Sequence, residues 1–318
     1  MSKIWEKDRR YAFLRPWVDA CTRASYSRLK VEGRLPDEGA VIIAPNHSNT
    51  LMDALVVLAS RRAQTVFGAR ADIFRKPTAA MALRFLKILP LARERDGAGT
   101  IRDSIYAFDE IDGTLEAGIP FCLFAEGRHR TERTILPLQK GIARIALRSA
   151  RQRPTVIVPA GINYSDFFHY RGRCLLRYGE PLDVNAFLSA HGDAPEGVQQ
   201  QLLREELGRR IQDLVLPDGL PRPSRWRLLL LPLWPVAAVL SLPMWGTAEF
   251  ICNRVVDRAF HNTVRYGVRL LLTPVNLLIW ALVFFFTLPW WLAAALCVLS
   301  LCSYSLFYDG WWLFSRNT

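Results

Sequence analysis

Lysine is scarce in this chain. Of 41 basic residues only Lys3, Lys7, Lys30, Lys76, Lys87 and Lys140 are lysines, so the formal net charge of +12 is carried almost entirely by arginine. The six cysteines, at 21, 122, 174, 252, 297 and 302, have no paired spacing, which excludes a disulfide framework and a cysteine zinc module and leaves them as reduced core residues. Of the five histidines, His169, His191 and His261 lack acidic or cysteine partners at ligand spacing and are assigned no function. No nucleic-acid motif accompanies the arginines, so the positive charge is left to an anionic membrane surface or a phosphorylated substrate. Residues 1–10 are charged and no apolar core with a small-residue cleavage site follows, so no cleavable signal is expected. Charge itself is missing from residues 228–248 and from residues 270–308, a run of 39 between Arg269 and Asp309.

Those runs lift the hydrophobic content to 51% and the mean hydropathy to +0.09, high for a soluble protein. The second run is long enough for two spans of about twenty residues each. Pro289 falls near its middle, so 288–291 reads as a turn, with Trp290 and Trp291 available for the membrane interface. Pro232, Pro235 and Pro243 interrupt the first run, which suits a re-entrant segment as well as a crossing. The stretch 249–269 sets Arg254, Arg258, Arg265 and Arg269 against Glu249 and Asp257, and a basic loop prefers the cytoplasmic side. The expectation is a membrane-associated region over 228–318, with a dip or crossing at 228–248, a helical hairpin at 270–308, and the rest of the protein facing the cytoplasm. Pro217, Pro221 and Pro223 mark a linker over 216–227.

Ahead of the linker, short apolar runs alternate with amphipathic stretches, the pattern of an α/β domain over 26–215. Strands are expected at 26–32, 40–44, 65–69, 120–124, 155–159 and 174–178, and helices at 5–25, 50–62, 78–89, 100–117, 139–150 and 195–215. The segment 1–25 interleaves Trp5, Tyr11, Phe13, Leu14, Trp17 and Val18 with Lys3, Lys7, Arg9, Arg10 and Arg15, suited equally to a bilayer surface and to ordinary packing. The first 225 residues carry +9 of the charge, because the remainder holds six arginines and three acids.

Chemistry is expected where apolar runs end. After the run 40–44 come Pro45, Asn46, His47, Ser48, Asn49, Thr50, Leu51, Met52 and Asp53. Six steps on a helix turn through roughly 600°, so His47 and Asp53 cannot meet from one continuous helix. They can meet if His47 stays in the loop, Asn49 or Thr50 caps the helix, and Asp53 lies in the first turn, where backbone N–H groups and the dipole favour a carboxylate. Asp53 would then fix the imidazole tautomer and leave the other nitrogen free to take a proton from a substrate hydroxyl. After the run 120–124 come Ala125, Glu126, Gly127, Arg128, His129 and Arg130; the glycine permits close approach to a ligand and the guanidinium forks suit a phosphate. Arg93 and Arg95 follow the apolar turn at 89–92, and Lys140 opens a helix at the end the dipole reserves for anions.

In order, these pieces resemble the glycerolipid acyltransferase family, which includes glycerol-3-phosphate and 1-acyl-glycerol-3-phosphate acyltransferases, over roughly residues 40–180. His47 to Asp53 is similar to the family's His-to-Asp motif, in the longer form Asn-His-x-Asn-x-x-x-Asp. Residues 90–95 are similar to the second motif with its substrate-binding arginine, 124–128 to the Phe-Pro-Glu-Gly motif that contacts glycerol phosphate, and 156–160 to the fourth, proline-bearing motif. The chain departs at Ala125, where proline is usual, and at Arg128, where a small hydroxyl residue is common.

The resemblance implies a central mixed sheet flanked by helices, His47 as general base and Asp53 as its orienting acid. It implies Arg93, Glu126, Gly127 and Arg128 around phosphate and glycerol, with Arg95, Arg130 and Lys140 in support. The implied reaction takes an acyl chain from acyl-CoA or acyl-carrier protein to 1-acyl-sn-glycerol 3-phosphate, giving phosphatidic acid, with no cofactor and no metal. The alternative acceptors are glycerol 3-phosphate and another lysophospholipid. Two readings from other classes are a metal-dependent hydrolase built on His47, Asp53 and Glu126, and an inactive lipid-binding scaffold.

Overall fold

The computed structural model describes residues 3–91, 100–222, 229 and 232–314. Asp8 starts the first helix, its carboxylate accepting from the N–H groups of Arg10 (2.8 Å) and Tyr11 (3.3 Å), so α1 runs Arg9–Ala24. There follow β1 (Arg28–Glu32), β2 (Ala40–Pro45), α2 (Thr50–Ala59), β3 (Val66–Arg70), α3 (Pro77–Phe85), β4 (Ile88–Leu91), α4 (Thr100–Glu116) and β5 (Phe121–Leu123). The remainder of the domain is α5 (Lys140–Ala150), β6 (Thr155–Tyr164), β7 (Arg173–Tyr178), β8 (Leu182–Asp183), α6 (Val184–His191) and α7 (Glu196–Leu214).

The strands form one mixed sheet in the order β1-β7-β6-β2-β5-β3-β4, with β8 beside β6. All neighbours are parallel except β6 with β7 and β6 with β8. Alternation along β2 sends Ala40, Ile42 and Ala44 into one core and Val41 and Ile43 into another. Both faces are therefore covered, which is why β2 reads as an unbroken apolar run. The first core is closed by Ile111 and Leu115 of α4, Ile142 and Ala146 of α5, and Leu203, Leu207 and Ile211 of α7. Cys21 of α1 and Met52, Leu55 and Val56 of α2 close the second.

Three departures from the sequence reading matter. A helix expected over 78–89 ends at Phe85, because Lys87 adopts φ +63° and Ile88–Leu91 pairs in register with β3. Four apolar residues fit either period, so the pattern could not separate the two. The strand expected at 155–159 continues to Tyr164, since Ala160 pairs with Pro45 on one side and Tyr178 on the other, handing β6 from a parallel to an antiparallel neighbour. Helix α6, capped by Asp183 through the N–H groups of Asn185 and Ala186, was not anticipated.

Beyond α7, three helices among the described residues are long and apolar enough to cross a membrane: α8 (Trp234–Cys252), α9 (His261–Thr287) and α10 (Trp290–Phe314). Pro235 lies in the first turn of α8, where a missing N–H costs nothing, and Pro243 lies inside the helix, so the segment is one continuous helix. The expected linker at 216–227 falls partly outside the described residues. The hairpin α9–α10 turns at Leu288 and Pro289, with Trp290 and Trp291 exposed there. The first turns of α9 are docked on the α/β domain: Tyr266 joins the second core, and Trp17 Nε1 of α1 donates to Leu270 O at 3.0 Å. Arg265 pairs with Glu249 of α8 at 2.9 Å and donates to Phe168 O, and Arg171 forms a two-bond pair with Asp309 of α10.

Candidate active site

Strands β2 and β5 are parallel neighbours, so the loops leaving their carboxyl ends meet outside the same edge of the sheet. Asn46 fixes the first of these loops to β6. Its side-chain oxygen accepts from Ile162 N–H (2.6 Å) and its Nδ2 donates to Ile162 O (3.2 Å). The chain then turns back so that His47 Nδ1 lies 2.8 Å from Asp53 Oδ2. That oxygen also accepts from the N–H groups of Ser48 (2.8 Å) and Asn49 (2.7 Å), while Oδ1 accepts from the Tyr164 hydroxyl at 2.7 Å. Asp53 is wholly buried. An acceptor-only carboxylate at Nδ1 requires the proton there, which leaves the lone pair on Nε2 of a ring whose side chain is 19% exposed.

Tyr164 has no counterpart in the sequence reading. Burial first, and then the neighbouring Asp53 charge, push its hydroxyl well above the usual phenol range, so it keeps its proton and remains a donor. The signal that could have found it was the continuation of β6 past Pro159 and Gly161, two residues that argue against a strand.

Glu126 sits in the second loop, with Oε1 accepting from His47 N–H and Oε2 from Leu136 N–H, both at 2.7 Å. It is 4% exposed, and burial raises its carboxyl above the usual range against the opposing pull of the Leu136 and His47 N–H groups. Its carboxylate therefore acts on the backbone that carries the imidazole. Gly127 next to it has φ +71°, a backbone conformation that calls for glycine, and a Cβ there would press on the exposed Gln139 side chain at 3.0 Å. The His47 ring lies over Phe124, with centroids 4.4 Å apart, and edge-on to His129 at 5.9 Å.

The basic residues divide. Arg128 is exposed, and no hydrogen bond or ion pair engages it among the described residues. Lys140 is exposed at the first residue of α5. Arg130 donates its backbone N–H to His47 O (3.0 Å), but its guanidinium turns to Thr134 and Glu132. Arg93 and Arg95 lie outside the described residues. His129 Nε2 donates to the Asp257 carboxylate at 3.2 Å and its ring stands edge-on to Phe260; both partners belong to the connection between α8 and α9, within the region the sequence assigns to the membrane. His169, read as unpartnered, is paired with Asp166 at 3.1 Å. Among the described residues no group of three or more His, Cys, Asp or Glu side chains could hold a metal ion, and Asp53 and Glu126 direct their oxygens to protein donors.

Residues 28–163 match the family model described as Acyltransferase. The chain is 33% identical over 85 residues to an uncharacterized acyltransferase of Schizosaccharomyces pombe, covering 26% of this chain and 13% of that one. It is 31% identical over 87 residues to glycerol-3-phosphate O-acyltransferase 2 of Saccharomyces cerevisiae, covering 26% and 12% respectively. The chain thus spans only about an eighth of the length of these curated relatives. Among solved structures, the 1-acyl-sn-glycerophosphate acyltransferase PlsC of Thermotoga maritima aligns with a TM-score of 0.45 at 20% identity, over 66% of this chain and 83% of that one.

Proposed function

We propose that this chain, whose residues 28–163 match the Acyltransferase family model, is a glycerolipid acyltransferase that transfers an acyl chain from an acyl thioester to the hydroxyl of 1-acyl-sn-glycerol 3-phosphate, giving phosphatidic acid. The observation that carries this reading is the His47–Asp53 bond with Nε2 left open to a substrate. Nε2 takes the acceptor's hydroxyl proton as that oxygen attacks the thioester carbonyl. Asp53 holds the tautomer and stabilises the imidazolium, and collapse of the tetrahedral adduct releases a thiolate that takes the proton back. No protein nucleophile, metal or cofactor enters these steps. Acyl-CoA and acyl-carrier protein are both suitable donors for a domain with a strong positive balance.

Arg128, exposed beside Glu126, is the first candidate for the acceptor phosphate, with Gly127 allowing close approach of the backbone. Arg93, Arg95 and Lys140 join it as phosphate candidates, and Arg130 and Glu126 serve by shaping the loop. Three apolar helices beside the site support a reaction at a membrane, and the exposed Arg254 and Arg258 of the connection 253–260 support a cytoplasmic side for it and for the α/β domain. A second reading, favoured by relatives named glycerol-3-phosphate O-acyltransferase, keeps the same base and takes glycerol 3-phosphate as acceptor.

The deciding experiment gives the purified protein radiolabelled acyl-CoA with each acceptor in turn, with and without chelator. Phosphatidic acid formed from the monoacyl acceptor, unaffected by chelator, is expected. Product from glycerol 3-phosphate alone would move the assignment to the second reading, and activity abolished by chelator would favour a metal-dependent hydrolase. His47→Ala should lower turnover by about 10²–10⁴-fold; equal turnover would remove His47 as the base, and a wild type that transfers no acyl group would leave the lipid-binding scaffold.

A further inference from the structure

The loop that presents His47 holds a conformation it does not support by itself. For Ser48 and Asn49 to aim their N–H groups at Asp53 Oδ2, the chain must fold back before α2 begins, and it does so through Thr50 at φ +46°. That region suits glycine; in a β-branched residue it crowds the side chain against the backbone, and it persists only where the surroundings over-determine it. Both partners of the Thr50 hydroxyl come from outside the α/β domain. Thr50 Oγ1 donates to Ala259 O at 3.3 Å and lies 2.9 Å from Thr263 Oγ1, one residue from the end of the α8–α9 connection and one from the first turn of α9.

The neighbouring contacts repeat the pattern. Asn49 Nδ2 and Asn262 Nδ2 both donate to Phe167 O, at 3.3 and 2.9 Å. Asp257 reaches His129, whose ring stands edge-on to His47. Arg265 secures this end of α9 by its pair with Glu249 and its bond to Phe168 O. The apolar region therefore touches the catalytic loop at the residue of that loop with positive φ, through the hydroxyls of the buried Thr50 and the half-buried Thr263.

We infer that the α8–α9 connection and the start of α9 are part of the catalytic apparatus, with Thr263 a positioning residue that acts through Thr50 to keep the His47 loop folded onto Asp53. The helices then do more than attach the enzyme to a bilayer: their docking sets the orientation of the base. Loss of the Thr263 hydroxyl lets Thr50 relax toward negative φ, which withdraws the Ser48 and Asn49 N–H groups from Asp53 and frees the imidazole to rotate. The part of this inference that concerns turnover rests on His47 being the base; the part that concerns the loop does not.

The test uses the full chain in detergent or nanodiscs, with Thr263→Val and Thr263→Ala made in parallel so that a packing failure in one leaves the other. Two quantities are read: hydrogen exchange of a peptide covering 46–53, and kcat and KM with the acceptor the wild type uses. Either variant should speed exchange of that peptide and lower kcat by about three- to tenfold, the size expected of one lost orienting bond, with KM unchanged. Thr263→Ser, which keeps the hydroxyl, should recover both. In a Thr50→Gly background, where left-handed backbone needs no outside support, Thr263→Val should have no further effect on either. Unchanged exchange in the Thr263 variants, or the same loss with glycine at position 50, would overturn the inference. A wild type that transfers no acyl group would remove the proposed function and leave the exchange measurement to decide this one.

Discussion

Asp53 accepts four hydrogen bonds in a position closed to solvent, from His47 Nδ1, Ser48 N–H, Asn49 N–H and the Tyr164 hydroxyl. Each donor removes a way for the carboxylate to turn, so the imidazole meets a fixed acceptor. Tyr164→Phe deletes one donor and leaves Oδ1 buried without it, which should cost about 1–3 kcal/mol of stability and lower kcat more than it changes KM; thermal unfolding together with steady-state kinetics would check this. Glu126 offers a sharper discrimination. In Glu126→Gln one carboxylate oxygen becomes an NH₂ facing the N–H of either His47 or Leu136, donor against donor. That variant should lose about 1–3 kcal/mol of stability and lose kcat, measured by denaturation and turnover. A residue that only held the acceptor phosphate would instead raise KM and leave unfolding unchanged.

Among the elements, β6 and the segment that follows it link site to scaffold. β6 delivers Ile162 to Asn46 and Tyr164 to Asp53, and the turn from 165 to 172 supplies the Phe167 carbonyl shared by Asn49 and Asn262. Asp166 organises this turn. Burial alone would push its carboxyl up, but the hydrogen bond with His169 and the N–H groups of Phe168 and His169 outweigh it and bring it down to about 2. A carboxyl lowered by folding stabilises the native state above its unfolded value, near pH 4, and that contribution fades as the pH falls through the folded value near 2. The wild type should therefore lose stability between about pH 4 and pH 2 more steeply than Asp166→Asn, as denaturant unfolding across that range would measure. Arg171 closes the same turn, its guanidinium donating to Ala24 O and Tyr26 O and pairing with Asp309 of α10.

At the scale of the whole molecule, an α/β domain and three apolar helices share a polar seam. Arg265, Arg269 and Asp309 reach Phe168, Tyr170 and Arg171 of the α/β domain, and Glu249 of α8 holds Arg265, so charges at the margins of the apolar runs are engaged along this seam. In the sequence Arg265 and Arg269 read as loop charges that select the cytoplasmic side, yet both are engaged, which leaves Arg254 and Arg258 as the exposed basic residues of that stretch. In the proposed orientation those two face the cytoplasm. Val256 between them is 99% exposed and suits a label. Val256→Cys should react with a membrane-impermeant maleimide only after cells are opened; labelling of intact cells would reverse the orientation.

Apolar runs, their length and the residues at their ends determined the class of this protein: an α/β domain, a strongly apolar C-terminal region, and two loops carrying His47 and Glu126, with Asp53 in the helix that follows the first. These were legible because burial on both faces of a parallel strand leaves continuous apolar sequence, and because a histidine six steps before an aspartate can meet it only through a loop-to-helix geometry. Tertiary structure alone decided which groups converge. Tyr164 and Ile162 reach the site through a strand that continues past proline and glycine, against local preference, because partners on both sides supply its hydrogen bonds. Thr50 meets Thr263 across 213 positions, and no periodicity within a chain encodes a contact between two elements that pack only after both have formed. The same holds for Glu126, whose carboxylate turned out to serve the backbone of His47, a role set by where β5 lies beside β2.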